Sequence, residues 1–377
     1  MRSAVDGPIV IVNCTDISSD AIIVFTSTIE HVRLSGMSPQ PPRDFQNALE
    51  QHRTVQQRGY WRDVESDVRY QHDTQRLSWL WSTRVKPVLQ KVAEHRIGRA
   101  TDETPRIWWI GTGAASSLPF HAAGDYGDST LGSPENSLSQ CISSYVSSIE
   151  SLQHARTIAP KASKRFFEEQ SLLVVTMPTT PGHGGLAGAS REEAAIYSVA
   201  GERWTVKSLA YPKASEILDE IGGSSIAHFA CHGFADPSDL MAGHLILQKD
   251  EDGKKCVDQL TVSALLSANL QVHAWIAYLS ACSTAEVKTQ TLADESLHLT
   301  SAFHMAGFTH VIGSLRPADD QICVQVARLF YSSLVNNDDS TDPNRAVSEA
   351  LNHAVRQISK EHPRNPDLWA PFIHLGA

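Results

Sequence analysis

After about Pro160, short apolar runs and segments of helical period take turns along the chain, and this alternation constrains the fold more than any other feature of the sequence. Strands are expected at Leu172–Val175, Ile226–Ala230, Leu245–Leu247, Trp275–Leu279 and His310–Ile312. Between and after them, helices are expected at Glu192–Val199, Ala214–Ile221, Val262–Leu266, Leu292–Met305, Gln321–Val335 and Arg345–Ser359. A strand that returns parallel to its predecessor needs a crossover, and a helix laid on the sheet is the ordinary one. The expected fold class is therefore α/β, a mainly parallel sheet flanked by helices. In such sheets ligands and reactive groups gather beyond the carboxyl ends of the strands, where loops converge.

The first half is less regular. Two β-branched runs, Pro8–Val12 and Ala21–Phe25, flank a polar connection from Cys14 to Asp20 and predict two strands. From Asp44 to about Ala93, helix formers and the spacing of Leu77, Leu80, Trp81, Val85, Val88, Leu89 and Val92 predict helix, with a kink at Pro87. Ile107–Ile110 reads as a buried strand, Ser117–Gly124 as a short helix closed by glycine, and Gly124–Gln140 as a polar loop. The chain is accordingly divided into residues 1–165 and 166–377.

Charge and length narrow the function classes. The 377 residues suffice for two ordinary cores. Lys and Arg number 32 against 42 Asp and Glu, a formal charge of −10. That balance disfavours a grip on a polyphosphate backbone, so no nucleic-acid partner is expected. Apolar runs such as Ala21–Phe25 stop far short of the roughly 20 residues that cross a bilayer, so no membrane association is expected. The opening residues lack the basic flank and apolar stretch of a secretory signal, and the six cysteines are scattered singly, which together predict a cytoplasmic protein with reduced thiols.

Two of the expected strands end on reactive groups. Ile226–Ala230 runs into Cys231, His232 and Gly233, and Trp275–Leu279 runs into Ser280, Ala281 and Cys282. If the two strands are neighbours, about 4.8 Å apart, an imidazole and a thiol emerge on one rim. A thiol with a pKa near ~8.5 becomes a nucleophile at neutral pH when a histidine beside it takes its proton. His232 is the expected base and Cys282 the expected nucleophile. Gly233, with no Cβ to block a backbone approach, is expected to donate its N–H to a developing oxyanion, as is the N–H of Cys282.

The neighbouring residues carry blander readings. Cys231 points to the other side of an extended chain from His232 and is expected to pack. His228, four residues before His232, is expected to pack or hydrogen-bond on one sheet face. No C-x-x-C or paired histidine spacing completes a zinc set, and Gly111-Thr-Gly113 lacks the remainder of a dinucleotide fingerprint, so neither a metal nor an organic cofactor is expected. Gly182–Gly188 lacks the Lys-Ser/Thr of a phosphate loop and is expected to be a loop beside the cleft. Asp236, Asp239, Asp294, Glu295, Asp319 and Asp320 are expected to be solvated, although any that enters a specificity pocket would favour a basic substrate residue.

Several separated motifs resemble one family. They are His228-Phe-Ala-Cys-His-Gly233, Leu279-Ser-Ala-Cys-Ser-Thr-Ala285, Ala306-Gly-Phe-Thr-His-Val-Ile-Gly-Ser-Leu315 followed by Asp319 and Asp320, and the ending Trp369-Ala-Pro-Phe-Ile-His-Leu-Gly376. Upstream, Ile107-Trp-Trp-Ile-Gly-Thr-Gly113, Leu118-Pro-Phe-His-Ala-Ala-Gly124 and Val175-Thr-Met-Pro-Thr-Thr-Pro-Gly182 add to the likeness. Together they resemble the CHAT modules, caspase- and separase-related cysteine peptidases, including those of fungal genomes. His232 precedes Cys282 by 50 residues, the order and approximate interval of caspase-type sites, although their Q-A-C-x-G signature is absent. The resemblance implies a caspase-like catalytic half, residues 166–377, preceded by a related non-catalytic half, residues 1–165. It implies a cysteine endopeptidase that cuts specific protein substrates through a thioester, with pore-forming or regulatory precursors among the candidates. By that likeness Cys282 is the nucleophile, His232 the base and Gly233 an oxyanion donor. Ser283 departs from the acidic residue common after the cysteine, and Arg316 from the tryptophan common before Pro317. The competing expectation is an inactive module that binds a protein without cutting it.

Overall fold

The computed structural model describes residues 2–14, 18–34, 74–97, 103–113, 115–126, 135–234, 239–267, 275–280, 295–336 and 342–377. The chain forms two compact units, one of residues 1–143 with 359–370 and one of residues 144–358 with 371–377. No helix among the described residues is long and apolar enough to cross a membrane.

In the first unit the strands are β1 (Ile9–Cys14), β2 (Ser19–Val24), β3 (Ile29–Arg33) and β4 (Arg106–Gly113), in the order β3-β2-β1-β4. β1 pairs antiparallel with β2 and parallel with β4, so Ile9 faces Val24 on one side and Trp108 on the other. Within the expected helical stretch, residues 74–80 are helical, Trp81–Val85 forms a π turn, and helix α1 follows at Lys86–Arg96. Pro87 follows closely on the π turn inside the unbroken helical run from residue 74 to Arg96, and the irregular turn accommodates its ring and missing N–H. The earlier part of that stretch, residues 44–73, lies outside the described residues. The expected Ser117–Gly124 helix is a single 3-10 turn, Phe120–Ala122, entered through Pro119 and left as Gly124 bridges to Asn136. Phe120 stacks on Trp109 at 4.9 Å.

The second unit carries β5 (Ile142–Tyr145, which begins at the border), β6 (Ser171–Thr176), β7 (Thr205–Ala210), β8 (Ile226–Ala230), β12 (Ile276–Leu279), β13 (His310–Ser314) and β14 (Phe372–Gly376). Their order is β5-β14-β13-β12-β8-β6-β7. The run β13-β12-β8-β6-β7 is wholly parallel, and β14 is antiparallel to β13. The longer helices are α2 (Ile149–Glu169), α3 (Ala187–Ala200), α4 (Ala214–Ile221), α5 (Glu295–Met305), α6 (Asp320–Asn336) and α7 (Pro343–Glu361), and a short one spans Val262–Ser267. The α/β class and the mainly parallel sheet agree with the alternation in the sequence. A smaller antiparallel sheet joins β9 (His232–Phe234), β10 (His244–Glu251) and β11 (Lys254–Thr261). Asp252 and Gly253, both with positive φ, close the β10–β11 hairpin as an Asp-Gly pair does.

Residue 165 lies inside α2, which runs through Pro160 and starts on a capping box of Ser148 and Ser151. Phe166 of α2 meets Trp275 at 4.6 Å and Trp204 edge-on at 4.9 Å, an aromatic knot in the second core. β7 ends the strand order and alternates largely exposed residues, among them Lys207, which pairs with Glu220 of α4 at 2.6 Å.

Two predictions concern stability. Gly376 sits at φ +124°, and a Cβ there would lie 2.1 Å from the carbonyl oxygen of Thr309. Gly376→Ala is expected to lower unfolding free energy by about 2 kcal/mol or more, read from chemical denaturation. His304 of α5 is buried, its Nε2 has no partner among the described residues, and burial with the charge of His154 lowers its pKa to about 4. The unfolded chain protonates this ring below about pH 6.5 while the folded chain resists until about pH 4. Its share of stability is thus complete above that window and lost as pH falls through it, at most about 3 kcal/mol. His304→Leu is expected to flatten the stability profile between those limits.

Candidate functional site

Every residue of β8 and of β12 is buried, as expected for central parallel strands covered on both faces. The two are direct neighbours. Ile276 pairs with Ile226 and Leu279 with Phe229, and the Ser280 N–H donates to the Phe229 carbonyl at 3.0 Å. The condition under which the two reactive ends share a rim is therefore met by the strands. His232 follows three residues after Phe229, and Cys282 three residues after Leu279. Cys282 itself lies outside the described residues.

His232 leaves β8 and opens β9, pairing with Ile246 of β10, while Gly233 pairs with Leu245. The ring is largely buried, and its Nε2–H donates to the Gly184 carbonyl at 2.7 Å. That bond sets the tautomer of the neutral ring, leaving Nδ1 as the basic nitrogen. Gly184 belongs to the expected Gly182–Gly188 loop, which the structure ends at Leu186 because α3 begins at Ala187, and this loop reaches the histidine. The same loop brings the His183 ring to 5.5 Å from His232. Partial burial, then the charges of His232 and His244, lower the pKa of His183 and favour a neutral ring beside the base.

Behind the strand ends lies a polar cluster in which His228 packs and hydrogen-bonds as expected, while its partners were not foreseen from the sequence. Glu192 of α3 is buried, and both its carboxylate oxygens accept from Ser280 Oγ, at 2.5 and 2.7 Å. Its Oε1 also lies 3.2 Å from His228 Nε2, off a hydrogen-bonding line. His228 is fully buried, its Nδ1 3.2 Å from the Tyr331 hydroxyl and its ring stacked on Tyr278. Burial first, and then the Glu192 charge, push the phenols of Tyr278 and Tyr331 well above their ordinary range. The same causes hold Cys323 as a thiol, which donates to the Ser280 carbonyl at 3.3 Å. Cys231 is buried. The stripe Ala189, Glu192, Ile196 and Ala200, all buried at helical spacing, is the signal that could have found Glu192.

A cavity of about 40 Å³ opens at these strand ends, with Ala230, Ser280, Glu192 and Asp320 in its lining. Of the six acidic residues singled out in the sequence, Asp320 alone among the described ones lines it. Asp239 accepts from the Met241 N–H, and Asp319 caps α6 by accepting from Gln321 and Ile322. Asp236 and Asp294 lie outside the described residues. Among the described residues no group of three His, Cys, Asp or Glu side chains is placed to hold a metal ion.

Among solved structures, the Arg-specific cysteine proteinase gingipain R is similar at 12% identity and a TM-score of 0.48, over 78% of this chain and 68% of that one. The Saccharomyces cerevisiae separase–securin complex is similar at 9% identity and a TM-score of 0.47, over 99% of this chain and 30% of that one. No curated protein sequence matches. The family model described as the CHAT domain matches residues 74–377, and the chain therefore belongs to the CHAT-domain family.

Proposed function

We propose that the chain is a cysteine endopeptidase in which His232 activates Cys282 against a peptide carbonyl. One observation carries the reading: β8 and β12 are adjacent and parallel, and each reaches its candidate reactive residue three positions beyond the Phe229–Leu279 pair. The bond from His232 Nε2–H to Gly184 supports it further, because it holds the ring with its basic nitrogen defined.

Each step then has a named group. His232 Nδ1 takes the thiol proton of Cys282, and the thiolate forms a bond to the substrate carbonyl carbon. The electron pair displaced onto oxygen is met by the N–H groups of Gly233 and Cys282. As the C–N bond breaks, the imidazolium returns its proton to the leaving amine, and a thioester joins the acyl half to sulfur. Water, deprotonated by the same imidazole, hydrolyses the thioester and releases the acid. Glu192 reacts with nothing in this sequence; it ties α3 to Ser280, the residue that follows β12. Residues 1–165 take the part of a related half without a dyad, and the substrate is a protein partner.

Cys282→Ala and His232→Ala are each expected to reduce proteolysis by about 10³-fold or more in a chain that still unfolds cooperatively. Residual cutting of a proteome-derived peptide mixture by either purified variant near the wild-type rate would discard the dyad. Glu192→Ala leaves the buried Ser280 hydroxyl without its acceptor, so a stability loss of about 1–3 kcal/mol is expected. Glu192→Gln still accepts from Ser280 and is expected to lose less, a ranking that denaturant titration can check.

A further inference from the structure

Arg84 of the first unit is 1% exposed, and among the described residues no carboxylate pairs with it. An arginine keeps its charge at any pH a protein tolerates, so a buried one without an anion is destabilising. It belongs to the π turn Trp81–Val85, and such turns recur at functional positions. From there Nε donates to Cys14 Sγ at 3.3 Å and Nη2 to Ser19 Oγ at 3.3 Å, while Nη1 is buried with no acceptor. Cys14 ends β1, and Ser19 opens β2 directly opposite it. Nε and Nη2 form the fork with which an arginine grips two oxygens of one anion, and here that fork is turned to a thiol and a hydroxyl. The Trp79 ring, 5.3 Å away, offers a cation–π contact but no negative charge. The acids on the flanking segments are engaged elsewhere: Asp20 accepts from His31, and Glu135 accepts from Lys86 and Trp81.

We propose that Cys14 is a site of oxidation by hydrogen peroxide, and that the guanidinium of Arg84 receives the sulfinate formed there. One peroxide molecule gives the sulfur an S–O bond as its own O–O bond breaks, leaving a sulfenic acid and water. A second adds the other oxygen and leaves another water, and the sulfinic acid releases a proton. The sulfur is oxidised, and both peroxide molecules are reduced to water. The product supplies what Arg84 lacks, an anion with two oxygens, carried on the atom that Nε already faces. Ser19 can turn its hydroxyl to donate to one of them. The first step is favoured as well, since the thiolate is the form that attacks peroxide, and a cation beside a sulfur favours that form whereas a carboxylate opposes it. Cys323 is the contrast within the same chain. It is 6% exposed against 5% for Cys14, yet burial and the Glu192 charge hold it as a thiol.

The test treats the full chain with graded hydrogen peroxide, unfolds it, blocks the remaining thiols and quantifies each cysteine by peptide mass mapping. Cys14 is expected to gain two oxygens about tenfold faster than Cys323, or more. Because the two are almost equally shielded, that ratio reads charge rather than access. Arg84→Met keeps the length and apolar packing of the side chain without its charge, and is expected to lower the ratio to within about twofold of one. Cooperative urea unfolding checks the fold of the variant, and should it fail to fold the wild-type ratio decides alone. Cys14 gaining two oxygens no faster than Cys323 in the wild-type chain overturns the assignment, as does a ratio in folded Arg84→Met as high as in wild type. Cys282 is read on its own peptide, so neither result touches the peptidase reading.

Discussion

The parallel pairing of β8 with β12 is the constraint on which the rest of the second unit depends. It brings together residues about fifty positions apart in sequence, and it does so at one level, because Phe229 and Leu279 share a register position. A slip of one residue would turn every buried side chain of a strand to the other face. With both strands buried throughout, such a slip would exchange their packing on the helices of each face, so the register is strongly specified. The hydrogen bond from Ser280 to Phe229 extends that order to the point where β12 ends.

Glu192 adds a second tie to the same place, at a cost. A buried carboxylate gives up its hydration, and the one proton of a serine hydroxyl, shared between its two oxygens, offsets only part of that loss. The arrangement links the helix, the strand of the histidine and the strand that leads toward the cysteine. A hydrophobic residue of similar size would bury more easily, yet it would leave the Ser280 hydroxyl without its acceptor. The cluster is better understood as fixing geometry than as adding stability.

How much of this was legible depended on whether a residue's surroundings could be inferred from its neighbours. β8, α4 and the core of α6 could be read because their apolar residues recur at the right period. β3, β7 and β11 are hard to read because they are largely exposed and carry few apolar residues, as in Lys254-Lys-Cys-Val-Asp-Gln-Leu-Thr261. α2 was missed because its serine-rich start and Pro160 look like loop, although the Ser148–Ser151 cap is a helix start. At the site, His232, Gly233 and Cys282 stood out by their position after predicted strands. Glu192 did not, since an acidic residue next to another acid reads as solvent-facing until the stripe through Ala189 and Ile196 is counted. Which acid lines the cavity could not be read at all, because Asp319 and Asp320 differ by one position and only the helix cap separates their duties.

Lys207 has a consequence for how the sheet meets other chains. An outermost strand with unsatisfied backbone groups invites a visiting strand to lengthen the sheet, and a lysine set there is a common deterrent. Here the ammonium is engaged by Glu220, so an intruder along β7 would have to break an ion pair and dehydrate both partners. That pair is half exposed, so it adds a modest penalty to sideways growth along this flank rather than a block.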